Sequence, residues 1–184
     1  CPVVSFLGDS KLVADLINGK ALCKGYLDVS VRQAQINLYN IWHKNNAIIL
    51  NNSNWITHIY RENNSRADAV ADIAAESKQV HWCTHHAFRS SRAWRVFCDG
   101  TAGKGRLGEV PAAGVIIQCL DEHSIWVEVA SLAIPIKTPA TSMYTEISAS
   151  NLSMAMMGII MQLQGFATIH QVCQLVHSLG IVLE

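Results

Sequence analysis

Arg95-Val96-Phe97-Cys98-Asp99-Gly100-Thr101-Ala102-Gly103-Lys104-Gly105 is the stretch whose reading decides the fold. Trp94 to Cys98 spell a short buried strand that runs into an Asp-Gly turn and a glycine-rich bend. The apolar run Ala112-Ala113-Gly114-Val115-Ile116-Ile117 then supplies the return strand of a hairpin. Asp-Gly is a common hairpin pair, so an ordinary turn accounts for this stretch without any function. A carboxylate that ends a hydrophobic strand, however, is costly unless it is paired, solvated or bound to a cation.

Working outward, 184 residues at 50% hydrophobic and 15% charged suit one globular domain with a sizeable core. The formal net charge is zero, so bulk charge points to no polyanionic partner and any nucleic-acid contact has to be local. Lys11, Lys20 and Lys24 form one small basic cluster, and Lys104 and Arg106 another. The six cysteines are scattered and show no disulfide framework, so a reducing intracellular compartment, cytoplasm or nucleus, is expected. No apolar run reaches membrane-spanning length, and no signal-peptide pattern opens the chain, so no membrane partner is expected. The start on Cys1-Pro2 leaves open a fragment, a processed piece or an excised domain.

Upstream, Val3 to Leu7 read as a buried strand ending in Gly8-Asp9-Ser10, with Ser10 as N-cap of a helix over Lys11 to Asn18. Val31, Ala34, Leu38, Ile41 and Trp42 recur at helical spacing within a helix from Asp28 to about Lys44. Trp55 to Tyr60 alternate like a strand, and Arg66 to Ser77 form a helix capped by Asn64 or Ser65. Residues 78–93 read as an irregular connector. Downstream, Ser124 to Ala130 make a third hairpin-sheet strand, Met143 to Gln164 a long helix, and Ile169 to Leu179 a second helical pattern. The expected order is β α α β α, connector, β β β α α, an α/β chain with no internal repeat.

Four carboxylates fall at informative places. Asp9 and Asp99 end hydrophobic strands, Glu146 lies early in a long apolar helix, and Asp68 lies near the start of a helix. Singly, acidic groups near helix starts need no explanation beyond the dipole. Gathered at strand ends they repel and require a cation, and hard oxygen ligands select Mg²⁺ or Mn²⁺. Two such ions about 4 Å apart are apparatus for in-line displacement at a phosphodiester.

These residues carry a resemblance. The chain resembles the ribonuclease H family, especially its reverse-transcriptase-like members, in two blocks of swapped order. Residues 94–164 resemble the family's first half, through Phe97-Cys98-Asp99-Gly100 and Thr141-Ser142-Met143-Tyr144-Thr145-Glu146. The family usually has Asn-Asn where Met143-Tyr144 stand. Residues 3–77 resemble the second half, through Gly8-Asp9-Ser10-Lys11-Leu12-Val13 and His58-Ile59-Tyr60-Arg61-Glu62-Asn63-Asn64-Ser65-Arg66-Ala67-Asp68. Two explanations of the order stand: a circular permutant, or a window cut from tandem domains that closes on itself. Either way the resemblance implies a single ribonuclease H-like domain with a mixed five-stranded sheet flanked by helices, residues 165–184 being an extra segment.

The resemblance also implies a function. Asp99, Glu146, Asp9 and Asp68 would hold two Mg²⁺ or Mn²⁺ ions, with Asp99 shared, Asp68 most peripheral and Glu146 also accepting from a ribose 2′-OH. Gly100, Thr101 and Ser10 would lie beside phosphates, Lys11 and Lys104 would touch the backbone, and Arg61 and Asn64 would support the last helix or touch the strand. His58 would order product release or serve as a core-edge histidine. The expected activity is metal-dependent cleavage of the RNA strand of an RNA–DNA hybrid. The competing reading is an inactive ribonuclease H-like module kept for nucleic-acid or protein binding, favoured by the absent basic stripe; a third is a mobile-element fragment with no selected function. The cluster His81-Trp82-Cys83-Thr84-His85-His86 matches no common zinc spacing and reads as solvated linker.

Overall fold

The computed structural model describes residues 2–45, 47–49, 54–84, 91, 93–103, 109–136 and 141–162. Lys104 and the whole segment 165–184, with its helical pattern, lie outside the described residues.

Among the described residues, seven strands form one mixed sheet. They are β1 (Val3–Gly8), β2 (Ile48–Ile49), β3 (Ile56–His58), β4 (His81–Thr84), β5 (Ala93–Thr101), β6 (Ala112–Leu120) and β7 (Trp126–Pro135). Four helices flank it: α1 (Lys11–Ile17), α2 (Tyr26–Asn45), α3 (Ser65–Ser77) and α4 (Ser142–Gln162). The strand order is β2-β1-β5-β6-β7-β4, with β3 sharing the β1 edge with β2. β1 runs parallel to β2, β3 and β5, whereas β5, β6, β7 and β4 alternate antiparallel.

Three expectations need correction. The sheet has seven strands rather than five. One addition lies in the stretch read as connector, where His81–Thr84 pair with Ala130–Ala133 of β7. That segment lacks apolar alternation because it is an edge strand, and its pairing rests on backbone groups that any side chain permits. The other addition is Ile48–Ile49 beside Val3 and Val4. The third correction is the Asp99-Gly100 turn. β5 continues through both residues, with Asp99 opposite Gly114 and Gly100 opposite Ala113. Turn propensity is local and yields to ladder pairing on one flank and helix packing on both faces.

The helices divide between the faces. α1, α2 and α4 cover one, where Val4, Phe6, Trp94, Val96, Cys98, Val115 and Ile117 meet Leu38, Ile41, Ile147, Leu152 and Met154. α4 is buried along most of its length and lies between the sheet and α2, its buried Ser and Thr side chains included. Trp42 departs from expectation: it stays half-exposed, edge-on to Tyr39. α3 lies on the other face, where Ala67, Val70, Ala74 and Ala75 meet Ala112, Ile116 and Ala133. Small residues on both sides bring that helix close to the sheet.

Local signals set the ends. Ser10 Oγ accepts from Val13 N (3.5 Å) at the start of α1, and Gly19 follows its end at φ +72°. Thr141 Oγ1 accepts from Tyr144 N (3.2 Å) at the start of α4. Asn18, the residue after α1, also holds β3. Its Oδ1 accepts from Trp55 N (2.6 Å) and Ile56 N (3.1 Å), and its Nδ2 donates to Ile56 O (2.9 Å). The side chain thus serves part of this edge as a strand partner would. Asn18→Ala is expected to cost about 2 kcal/mol, because it leaves these backbone groups without their partner. Urea unfolding measures it, and a loss under about 0.5 kcal/mol would show that water replaces the amide freely.

Candidate metal centre

Parallel pairing creates the site. Gly8 is in register with Cys98 of β5 and with His58 of β3, so β1 and β3 end level with Cys98, just short of the end of β5. The next residues, Asp9 and Asp99, therefore emerge side by side. Glu146 arrives from α4, one turn inside its start. Carboxylate oxygens of Asp9, Asp99 and Glu146 all lie within 4.8 Å of one another. Asp99 is 4% exposed, and the other two are half-buried.

No cationic side chain sits among these three in the described residues, and their chemistry shows it. Burial, then the Glu146 and Asp9 carboxylates, pushes Asp99 up to about 9. Burial, then Asp9, pushes Glu146 up to about 8, against the opposing pull of the Gly100 backbone N–H. Three carboxylates within reach of one another, two of them resisting ionisation, are a set of hard oxygen donors that a divalent cation fits.

Asp68 stands at the rim. Its Oδ1 accepts from Arg61 Nη2 (3.2 Å), and it adds negative potential at both Asp99 and Glu146. Arg61 is exposed, lies in a 3-10 turn just before α3, and is held charged first by Asp68 and more weakly by Asp99 and Asp9. His58 is exposed at the end of β3, its ring against Tyr60. Ser10 and Thr101 are half-buried beside the strand ends. Lys11 is exposed and pairs with Asp15 (2.5 Å), four residues on in α1.

Two expected roles change. Asn64 is 1% exposed, so it offers a strand no surface. It instead donates through Nδ2 to Asp9 Oδ1 (3.1 Å), Asp99 Oδ1 (3.2 Å) and Cys98 O (3.0 Å). Gly100 is buried too. A Cβ there would lie 2.3 Å from Thr145 C and 2.4 Å from Glu146 N, so its smallness lets α4 bring Glu146 to Asp99. Gly114, read only as part of a strand, does the same on the other face: a Cβ would lie 2.4 Å from Ala67 O and 2.6 Å from Ala71 N of α3. Glycine inside an apolar strand was its available signal.

The raised carboxyls give a pH prediction. Between the ordinary carboxylate range and about 8 to 9, the metal-free folded chain holds protons that the unfolded chain has released. Its stability therefore falls as pH rises across that window. A cation must displace those protons, so Mg²⁺ affinity rises over the same window. Melts in EDTA should show a Tm declining toward alkaline pH, with a shallower decline in Asp99→Asn. Calorimetry near neutral pH should show proton release on Mg²⁺ binding. Parallel slopes and no released proton would remove the desolvated cluster.

Among the described residues, no helix is long and apolar enough to cross a membrane. No protein-family model, curated protein or solved structure matches the chain.

Proposed function

We propose that the chain is a circularly permuted ribonuclease H-like domain acting as a metal-dependent endoribonuclease on the RNA strand of RNA–DNA hybrids. One observation carries this reading: Asp9, Asp99 and Glu146, far apart in sequence, converge at one end of the seam between β1 and β5. The element order supports it. Read from β5 to α4 and then from β1 to α3, the chain runs three strands, a helix, a strand, two helices, a strand and a helix, with only the short β2 and β4 added. This is the order that the resembled family follows.

In this reading Asp99, Asp9 and Glu146 hold Mg²⁺ or Mn²⁺, and Asp68 completes the set from the rim. The bound ions supply an acidified water and charge at the leaving 3′ oxygen. Everything else falls to the chain's own groups. Glu146 accepts from the 2′-OH that separates RNA from DNA. Ser10 and Thr101 direct hydroxyls toward phosphates. Lys11 and Arg61 exchange exposed carboxylate partners for phosphate at little cost, because exposed ion pairs are weak. His58, exposed at the same end of the sheet, guides product away.

The test is cleavage of an end-labelled RNA–DNA hybrid, with duplex DNA as control, in Mg²⁺, Mn²⁺ or EDTA. Cutting confined to the RNA strand and to metal is the expected result. A folded chain that binds the hybrid and cuts nothing would be a binding module. One that ignores the hybrid in either metal would end the nucleic-acid reading.

A further inference from the structure

We infer that Asn64 is the positioning residue of the acidic cluster: its side-chain amide holds Asp9 and Asp99 in register across the seam between β1 and β5, and thereby sets the cluster's affinity for a divalent cation. The inference rests on the metal-centre reading above.

The geometry is specific. Oxygens from Asp9, Asp99 and the Cys98 carbonyl lie 3.0 to 3.2 Å from one nitrogen, Asn64 Nδ2. The Cys98 carbonyl can only accept, so turning the amide over would set one oxygen against another there; the network settles the orientation. The nitrogen also ties both neighbouring strands together, since Cys98 and Asp99 belong to β5 and Asp9 follows β1.

Position and cost set Asn64 apart from an ordinary helix cap. It is the N-cap residue of α3, where an Asn oxygen usually accepts from the second or third N–H of the helix. No such bond is made here. Asn64 Oδ1 is instead buried with no hydrogen-bond partner among the described residues. A buried unpaired acceptor is a standing penalty, so the amide forgoes its cap while it serves the carboxylates. A neutral donor also suits the task. It restrains two repelling oxygens without the full charge of a Lys or Arg, which would compete with the cation. Arg61, whose guanidinium acts on the cluster, turns to Asp68 instead.

The test uses the full chain with Asn64→Ala and the isosteric Asn64→Asp, and Mn²⁺ alone as probe. Asn64→Ala should weaken Mn²⁺ binding about ten- to a hundredfold by calorimetry, the range for losing a group that orients metal ligands. Asn64→Asp keeps the shape but replaces the donor with another acceptor. It should melt below the wild type in EDTA and gain a larger Tm rise from saturating Mn²⁺, because the cation relieves the added repulsion. If the wild type binds Mn²⁺, Asn64→Ala binds equally well and Asn64→Asp shows the wild-type rise, Asn64 merely packs and the inference is overturned. If Asn64→Ala does not fold, the metal-dependent rise of Asn64→Asp decides alone. If the wild type binds no Mn²⁺, the metal centre itself is wrong and the inference falls with it.

Discussion

Asp99→Asn should abolish metal-dependent cleavage and, without metal, raise the melting temperature. Asp99 is the most deeply buried member of the cluster, with Asp9 on one side and Glu146 on the other. Removing its charge takes away the central cation ligand. Groups that act as a unit lose most of their effect when one is removed, so the rate should fall on the order of a thousandfold or more. Stability should move the other way. At neutral pH the folded chain must keep a proton on Asp99, whose unfolded form would be ionised. An amide of the same shape removes that requirement, and its oxygen can still accept from Asn64 Nδ2. A gain of about 1–3 kcal/mol near neutral pH, or roughly 3–10 °C in Tm for a chain of this size, is expected in EDTA. The opposite signs separate this site from a structural carboxylate. If the mutant cuts hybrid at the wild-type rate, Asp99 is no ligand. If it melts lower in EDTA, the carboxyl is stabilising and the crowded, cation-requiring cluster is wrong.

Gly100→Ala should be strongly damaging for a single added methyl. The added Cβ would lie 2.3 to 2.5 Å from the backbone of Thr145 and Glu146, and backbone cannot rotate aside. α4 has to shift on the sheet by about 1 Å, disturbing its packing on β5 and the reach of Glu146 toward Asp99. Overpacking of this kind costs about 1–3 kcal/mol or more, which for this chain means a Tm lower by roughly 3–12 °C. Misplacement near 1 Å also costs about a hundredfold in rate, so cleavage should fall even below the new Tm, where the chain is folded. A normal Tm with normal cleavage would mean that α4 sits farther from β5 than described. Loss of stability with full activity per folded molecule would uncouple the α4 packing from the site.

The two variants touch different kinds of information. Asp99 was visible in the sequence because a carboxylate after a buried run conflicts with local hydrophobicity. The same conflict marked Asp9, its place early in a long apolar helix marked Glu146, and helical periodicity marked the buried face of α2. The importance of Gly100 was visible only in part. Asp-Gly signals a turn when read locally, and only the pairing of Asp99 with Gly114 keeps both residues in the strand. Gly114 lay inside an apolar run whose neighbour across the sheet no periodicity names. Asn64 belonged to a legible motif, but its task was not legible. An Asn before a helix reads as a cap, and it turns inward only because Asp9, Cys98 and Asp99, 34 to 55 residues away, converge beneath it.

By itself, then, the sequence determined the α/β class, the principal helices and strands to within a few residues, and which acids were candidates, because these follow from burial periodicity and capping along the chain. Tertiary structure alone decided the seven-stranded edge-to-edge order, the two close helix approaches at Gly100 and Gly114, the protonation of Asp99 and Glu146, and the partner of Asn64. Each of these depends on what a residue meets across space. Desolvation, like-charge proximity and the room left for a Cβ are properties of that meeting, which no local stretch of chain contains.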